Sequence, residues 1–232
     1  MAASITLFGS TGLTGSNTLK SLLTTEHPIT TISRRSPAST SPTLNALIEP
    51  ETSKWAAALS ELKPTPTAVI SAIGTTRAAA GGLAEQWKID HDLNVELAKA
   101  AKQAGVKTFV FISSAGTRGA LVSSAPYSKM KVGVEDAIEN LDFEHSIILR
   151  PGMIMGQREK PRAVEGLSQG ILNGIGKLAP GFKDSLGQSA EAIGAAAAKA
   201  AQLAIEGKAP SKHWVIDSAE ILKIGRDEAP KA

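Results

Sequence analysis

The sequence predicts a doubly wound α/β domain built around a parallel sheet. Three features carry that prediction. Short apolar, β-branched runs alternate with helical stretches along most of the chain. The strand candidates are apolar throughout, as strands covered on both faces are. The first of them runs straight into a glycine turn, "GSTGLTG".

The elements follow in order. "SITLF" (4–8) is the first strand, and "LTGSNTLKSLLTT" (13–25) carries Leu19, Leu22 and Leu23 at helical spacing. "ITTIS" (29–33) is the second strand, followed by a polar Ser/Thr/Pro loop over 36–43. "LNALIE" (44–49) reads as a third strand and "SKWAAALSEL" (53–62) as a helix. "TAVISAIG" (67–74) is a buried strand. A long helix, 83–105, is stopped by Gly105. "KTFVFISS" (107–114) is the next buried strand, and "APYSKMKVGVEDAI" (125–138) the helix after it. "HSIILR" (145–150) is the sixth strand, closed by Pro151-Gly152. Right-handed crossovers turn this order into a Rossmann-type sheet with helices on both faces.

Beyond Pro151 the alternation loosens, and seven of the 21 glycines fall between 152 and 181. This region, mostly 152–212, is expected to form a small C-terminal substrate lobe within one domain spanning 1–232. "DSLGQSAEAI" (184–193) starts a helix by local capping, and the Ala-rich run 190–207 suits close packing on the sheet. "HWVID" (213–217) is a last strand.

Composition narrows the function. With 42% hydrophobic residues the 232-residue chain can bury a full core. It has no cysteine, which excludes a disulfide framework, a thiolate metal site and a cysteine nucleophile, and suits a reducing compartment. The net charge of +3 comes from interspersed charges, so no nucleic-acid stripe is expected. His27, His91, His145 and His213 lack metal-ligand spacing, and no metal is expected. Trp55, Trp87 and Trp214 read as core or interface residues. No run approaches the ~20 apolar residues of a membrane span. The N-terminus reads at once as a strand and turn, so no cleaved leader is expected.

The glycine turn points to a dinucleotide. In a doubly wound sheet, ligands bind beyond the carboxyl ends of the strands. Gly9 permits the tight turn, Gly12 lets a diphosphate approach the main chain, and Gly15 lets the helix pack on the strand. Free N–H groups from Leu13 onward meet the phosphates, and Ser10, Thr11 and Thr14 add hydroxyl donors. The spacing is GxxGxxG, so the contacts differ in detail from GxGxxG. At the end of the second strand an NAD site places an acid, whereas this chain has Arg34 and Arg35. A carboxylate repels a 2′-phosphate and guanidinium holds it, which argues for NADP(H). The alternative is a pair of surface arginines after a strand. Ile73 and Gly74 are placed to flank adenine or ribose, with Thr75, Thr76 and Arg77 toward the phosphates. A plain polar loop is the alternative there.

Tyr127 and Lys131 are four residues apart and share a helical face, while Lys129 points away. Ser113 and Ser114 end the preceding strand at the same edge. Together they form a candidate relay: Tyr127 donates a proton to a carbonyl oxygen as hydride reaches its carbon, and a serine hydroxyl holds that oxygen. Lys131 is expected to hold the ribose and, as ammonium together with the positive ring of the oxidised cofactor, to lower the phenol pKa from its free value near 10. The competing reading is a surface tyrosine and lysine on an ordinary helix, against which stands that Tyr127 is the sole tyrosine.

With "GSTGLTG", "SRR", "SAIGTTR", "FISSAG", "YSKMK" and "LRPGMIMG" in this order, the chain resembles the atypical short-chain dehydrogenase/reductases. It is most similar to the Tat-interacting-protein-like subgroup, with its fungal members at the mitochondrial outer membrane. The resemblance implies that Gly9, Gly12, Gly15, Arg34, Arg35, Gly74, Tyr127 and Lys131 contact NADPH. It also implies that Pro151, Gly152, Met153 and Ile154 cover the nicotinamide side. The Asn-Ala-Gly motif of typical members is replaced by "IGTTR", which leaves Asn94 to order nearby backbone. Two functions fit: an NADPH-dependent reductase of a small carbonyl substrate, with an apolar pocket from Met153, Ile154, Met155, Leu172 and Leu178, or a non-catalytic NADPH sensor or scaffold. A third, an NAD-linked sugar-nucleotide epimerase, is disfavoured by Arg34-Arg35. Both the cytosol and a peripheral position on the mitochondrial outer membrane suit the sequence.

Overall fold

The structure, a computed structural model, describes residues 3–120, 122–155 and 187–227. Its main sheet has seven parallel strands in the order β3-β2-β1-β4-β5-β6-β9. These are β1 (Ile5–Phe8), β2 (Ile29–Ser33), β3 (Leu44–Ile48), β4 (Ala68–Ser71), β5 (Thr108–Ile112), β6 (His145–Leu149) and β9 (His213–Ile216). Two short parallel strands, β7 (Met153–Met155) and β8 (Gly187–Ser189), pair separately. The sequence gives no period for strands of three residues, so β7 and β8 were not foreseen.

The two periods of the sequence build the two faces. In β1, Ile5 and Leu7 point to one side and Phe8 to the other. On the first side lie α1 (Leu13–Leu22), α7 (Ala190–Ile205) and α8 (Ser218–Asp227). The small side chains Ala196, Ala197, Ala200 and Ala201 bring α7 down onto the sheet and against α1. Ser189 caps α7, its hydroxyl accepting from Ala192 N at 3.1 Å, as the capping motif predicts; residues 184–186 lie outside the described residues. On the second side, α2 (Trp55–Glu61), α5 (Leu93–Gln103) and α6 (Pro126–Asn140) cover Phe109, Phe111 and Ile148. Pro126 opens α6 at a position where its missing N–H costs nothing. Trp55 and Trp214 are buried; Trp87 is half-buried against His91.

The expected helix over 83–105 is interrupted. After α3 (Arg77–Ala80) and α4 (Leu83–Trp87) the chain makes a π turn at Lys88–Asp92 before α5 begins. Asn94 accounts for the turn: its amide donates to the carbonyls of Ile89 (3.1 Å) and Asp90 (3.3 Å), and its carbonyl accepts from Ser71 Oγ on β4 (2.6 Å). Asn94 does order nearby backbone. Gly105 follows the helix end with φ +87°, the left-handed conformation a stop requires.

The order of strands reverses between β1 and β4, and beyond their carboxyl ends a crevice opens. That switch point positions the site.

Candidate functional site

A cleft of about 470 Å³ lies at the switch point, lined by the first turn, the β4–α3 loop, the end of β5 and the start of α6. Gly12, Leu13 and Thr14 form one wall. Gly9 turns the chain at φ +82°, and a Cβ there would stand 2.7 Å from the Ala72 carbonyl. A Cβ on Gly15 would overlap the Gly9 carbonyl. At Gly12 the nearest atom to an added Cβ is the Gly9 oxygen at 3.3 Å, so this glycine leaves its bare backbone toward the cleft. Helix α1 has no side-chain cap and no acid in its first turn. Its first N–H groups therefore face the cleft with the positive end of the dipole, a fit for a diphosphate.

The other expected cofactor residues divide. Ile73, Gly74 and Thr75 line the cleft, as do Thr76, Arg77 and Ile154. Thr11 is half-exposed on the turn. Ser10 is buried under the turn, and its hydroxyl has no partner. Arg34 and Arg35 are exposed just past β2, outside the residues that line the cleft, and neither guanidinium has an ion-pair partner among the described residues. Pro151 is buried and its carbonyl accepts from Ala115 N at 2.7 Å. Gly152 N donates to Gln188 Oε1 at 3.1 Å, tying the β7–β8 pair to the sheet through Gln188 Nε2 and the Ser218 carbonyl. Met153 is exposed and Met155 half-buried. Leu172 and Leu178, with most of the expected lobe, lie outside the described residues.

Tyr127 and Lys131 both line the cleft, one turn apart on α6. Lys131 is 4% exposed, while Lys129 is exposed to solvent. The Lys131 ammonium donates to the Ile112 carbonyl at 3.2 Å and sits 4.7 Å from the centre of the Phe111 ring. Burial pushes its pKa down, opposed by the charges of Asp90 and Glu135. Tyr127 is 42% exposed as a residue. Its pKa is raised, by burial of the phenol first and by Asp90, against a hydrogen bond with Ser114. In the protein alone, crowding and a nearby carboxylate outweigh any help from Lys131, whose ammonium is engaged at Ile112.

The two serines have different partners. Ser113 is buried and its hydroxyl donates to Glu135 Oε1 at 2.5 Å, while Ser114 stands beside the phenol. By sequence alone either hydroxyl suits the role; the packing of α6 against β5 separates them.

Sequence reasoning missed two carboxylates. Glu135 follows Lys131 by one further turn, so the helical spacing that paired Tyr127 with Lys131 reaches it too. It accepts from Arg150 Nη2 at 2.6 Å and Arg118 Nε at 3.1 Å, and Arg118 also pairs with Asp136. Burial pushes its pKa up, but the Arg150 bond, the Ser113 bond, the Arg150 charge and Arg118 together hold it below the ordinary value of 4.5. A carboxyl with a lowered folded pKa stabilises the fold above its unfolded pKa, and the contribution is lost as pH falls through the folded value. Glu135→Gln should cost on the order of 2 kcal/mol at neutral pH, less than a fully buried pair because both arginines reach solvent. It should also flatten the loss of stability toward acid pH. Urea denaturation of both proteins at neutral and acid pH checks this. The second carboxylate, Asp90, is hidden from helical periodicity because it sits on the π turn.

Fold and cleft define a Rossmann-like α/β protein with a crevice at the switch point of its sheet. More narrowly, the chain belongs to the NAD dependent epimerase/dehydratase family, whose pattern matches residues 5–180. It is 59% identical over 236 residues to "Protein fmp-52, mitochondrial" of Neurospora crassa, covering 97% of this chain and 96% of that one. It is 55% identical over 224 residues to "Protein fmp52-2, mitochondrial" of Aspergillus oryzae, covering 96% of each. Among solved structures it is similar to MoeE5 in complex with UDP-glucose and NAD, with TM-score 0.69 and 15% identity, covering 97% of this chain and 81% of that one. It is also similar to the UDP-Glc/GlcNAc 4-epimerase of Campylobacter jejuni, with TM-score 0.66 and 17% identity, covering 96% and 82%. At those identities the solved structures speak to fold alone.

Proposed function

We propose that this protein is an NADPH-dependent reductase of a small carbonyl compound, acting through Ser114, Tyr127 and Lys131. The observation that carries the reading is that the sole tyrosine, a buried lysine and the bare start of α1 line one cleft. NADPH supplies a hydride when bound. Leu13 and Thr14 present N–H groups to its diphosphate, while the Gly12 N–H is spent on the Gly9 carbonyl at 2.9 Å. Arg34 and Arg35, exposed just past β2 and without an ion-pair partner among the described residues, offer guanidinium to a 2′-phosphate. Tyr127 Oη donates its proton to the carbonyl oxygen. The Ser114 hydroxyl orients that oxygen, because Ser113 is committed to Glu135. The complexes of family-like structures with NAD and the family's own description support a nicotinamide dinucleotide here. Within the family we place the chain nearest the Tat-interacting-protein-like subgroup. We place it peripherally on the mitochondrial outer membrane; the names of its relatives support the mitochondrion.

A second reading is a cofactor sensor or scaffold. It is favoured by Lys131, which bonds the Ile112 carbonyl instead of the phenol. Turnover separates the two. The reductase oxidises NADPH in the presence of some member of a panel of small apolar aldehydes and ketones. NADPH binding with no turnover across such a panel supports the sensor.

A further inference from the structure

Asp90 has no part in the relay described above, yet it is 0% exposed and lines the same cleft as Tyr127 and Lys131. Its Oδ1 accepts from Thr75 N at 2.7 Å and its Oδ2 from Gln86 Nε2 at 3.0 Å. Both oxygens act as acceptors, the pattern of an ionised carboxylate. No cation pairs with it within ion-pair distance among the described residues. A carboxylate so deep, without a bonded cation, is costly to keep and acts on its neighbours through space. The π turn is what brings it there. Asn94, anchored to Ser71 of β4, holds the Ile89 and Asp90 carbonyls and so fixes where the side chain starts.

We propose that Asp90 is a positioning residue that sets the electrostatic field of the cleft: a fixed buried negative charge that disfavours negative charge on Tyr127 and favours positive charge on Lys131. Its lever on Tyr127 is electrostatic. A phenolate forming beside a carboxylate is disfavoured, and an ammonium beside it is favoured. The other charges around the pair are accounted for. Lys131 and Glu135 face it from α6, and Glu135 is neutralised by Arg150 and Arg118. Arg77 lines the cleft from α3 as an exposed side chain. His91, on the same π turn, bonds Asp92 at 2.8 Å and packs toward Gly133 of α6. Lys88 pairs with Glu85 in solvent. The oxygens of Asp90 also hold the β4–α3 loop through Thr75, so the residue that tunes the phenol braces the wall opposite it.

The proposal deepens the reductase reading, which gives the retained proton its use, but its test needs neither cofactor nor turnover. Tyr127 is the only tyrosine among 232 residues, so the ultraviolet absorbance of tyrosinate in alkaline titration reports this phenol alone. In Asp90→Asn the ionisation midpoint should fall by about one pH unit relative to the native protein. Asp90→Ser removes the charge by a different route and should move it the same way; either variant suffices if it folds by circular dichroism. Gln86→Ala, which removes a bond but no charge, should leave the midpoint in place. An unchanged or raised midpoint in a folded Asp90 variant overturns the proposal. So does an equal fall in Gln86→Ala, which would assign the effect to packing. A protein that shows the fall but never turns over a carbonyl keeps this inference and loses the reductase.

Discussion

Tyr127→Phe should eliminate NADPH oxidation while NADPH still binds. The variant removes one oxygen from a side chain that is partly exposed at the cleft mouth, so packing is little disturbed. Lost with it is the proton donor to the carbonyl oxygen. General acid catalysis of this kind is worth roughly 10²–10⁴-fold, and no second phenol exists in the chain to replace it. The rate of NADPH loss with the best substrate from the carbonyl panel measures the effect, and an equilibrium titration with NADPH measures the binding. Turnover at the native rate would remove Tyr127 from the chemistry. Loss of both turnover and binding would show that the phenol is needed to seat the cofactor, not to move a proton.

The second large effect concerns which cofactor is held. Replacing Arg34 and Arg35 together by alanine should weaken NADPH by about 100-fold and leave NADH nearly unchanged. Each charge-assisted bond to a phosphate contributes roughly 1.5–3 kcal/mol, and about 1.4 kcal/mol is tenfold. Two solvent-exposed arginines with no partner to lose cost the fold little when removed. Titration of the native and double-variant proteins with both nucleotides reads the discrimination directly. Equal weakening of both nucleotides would mean that the arginines serve the general field of the cleft. No weakening of either would return them to the surface role that their exposure also fits.

What the sequence disclosed and what it hid have separate physical causes. The parallel sheet was legible because "AVI" (68–70) and "FVFI" (109–112) are apolar on every residue, the pattern of a strand covered on both faces. The first turn was legible because Gly9 and Gly15 each meet a different steric demand: the first turns at positive φ against Ala72, and the second leaves no room for a Cβ beside the Gly9 carbonyl. Tyr127 and Lys131 were found by an i,i+4 spacing that α6 preserves. Asp90 was hidden because the π turn shifts the face of the helix by one residue, and no periodicity in the sequence announces it. Its cause, the Asn94 amide clasping two carbonyls, is a tertiary arrangement anchored on Ser71, 23 residues away. The division of labour between Ser113 and Ser114 was hidden for a similar reason. It depends on Glu135 reaching back from α6, and Glu135 in turn is held by Arg150 at the end of another strand. Spacing shows that a lysine is near the phenol, but not that its ammonium is bonded to a backbone carbonyl.

The account stands on a nicotinamide dinucleotide seated at the bare start of α1 with its reactive end toward Tyr127. Calorimetric titration of the native protein with NADPH tests it most directly. Saturable binding at one site per chain, tighter than for NADH, is the predicted result. The absence of measurable binding for either nucleotide would contradict it.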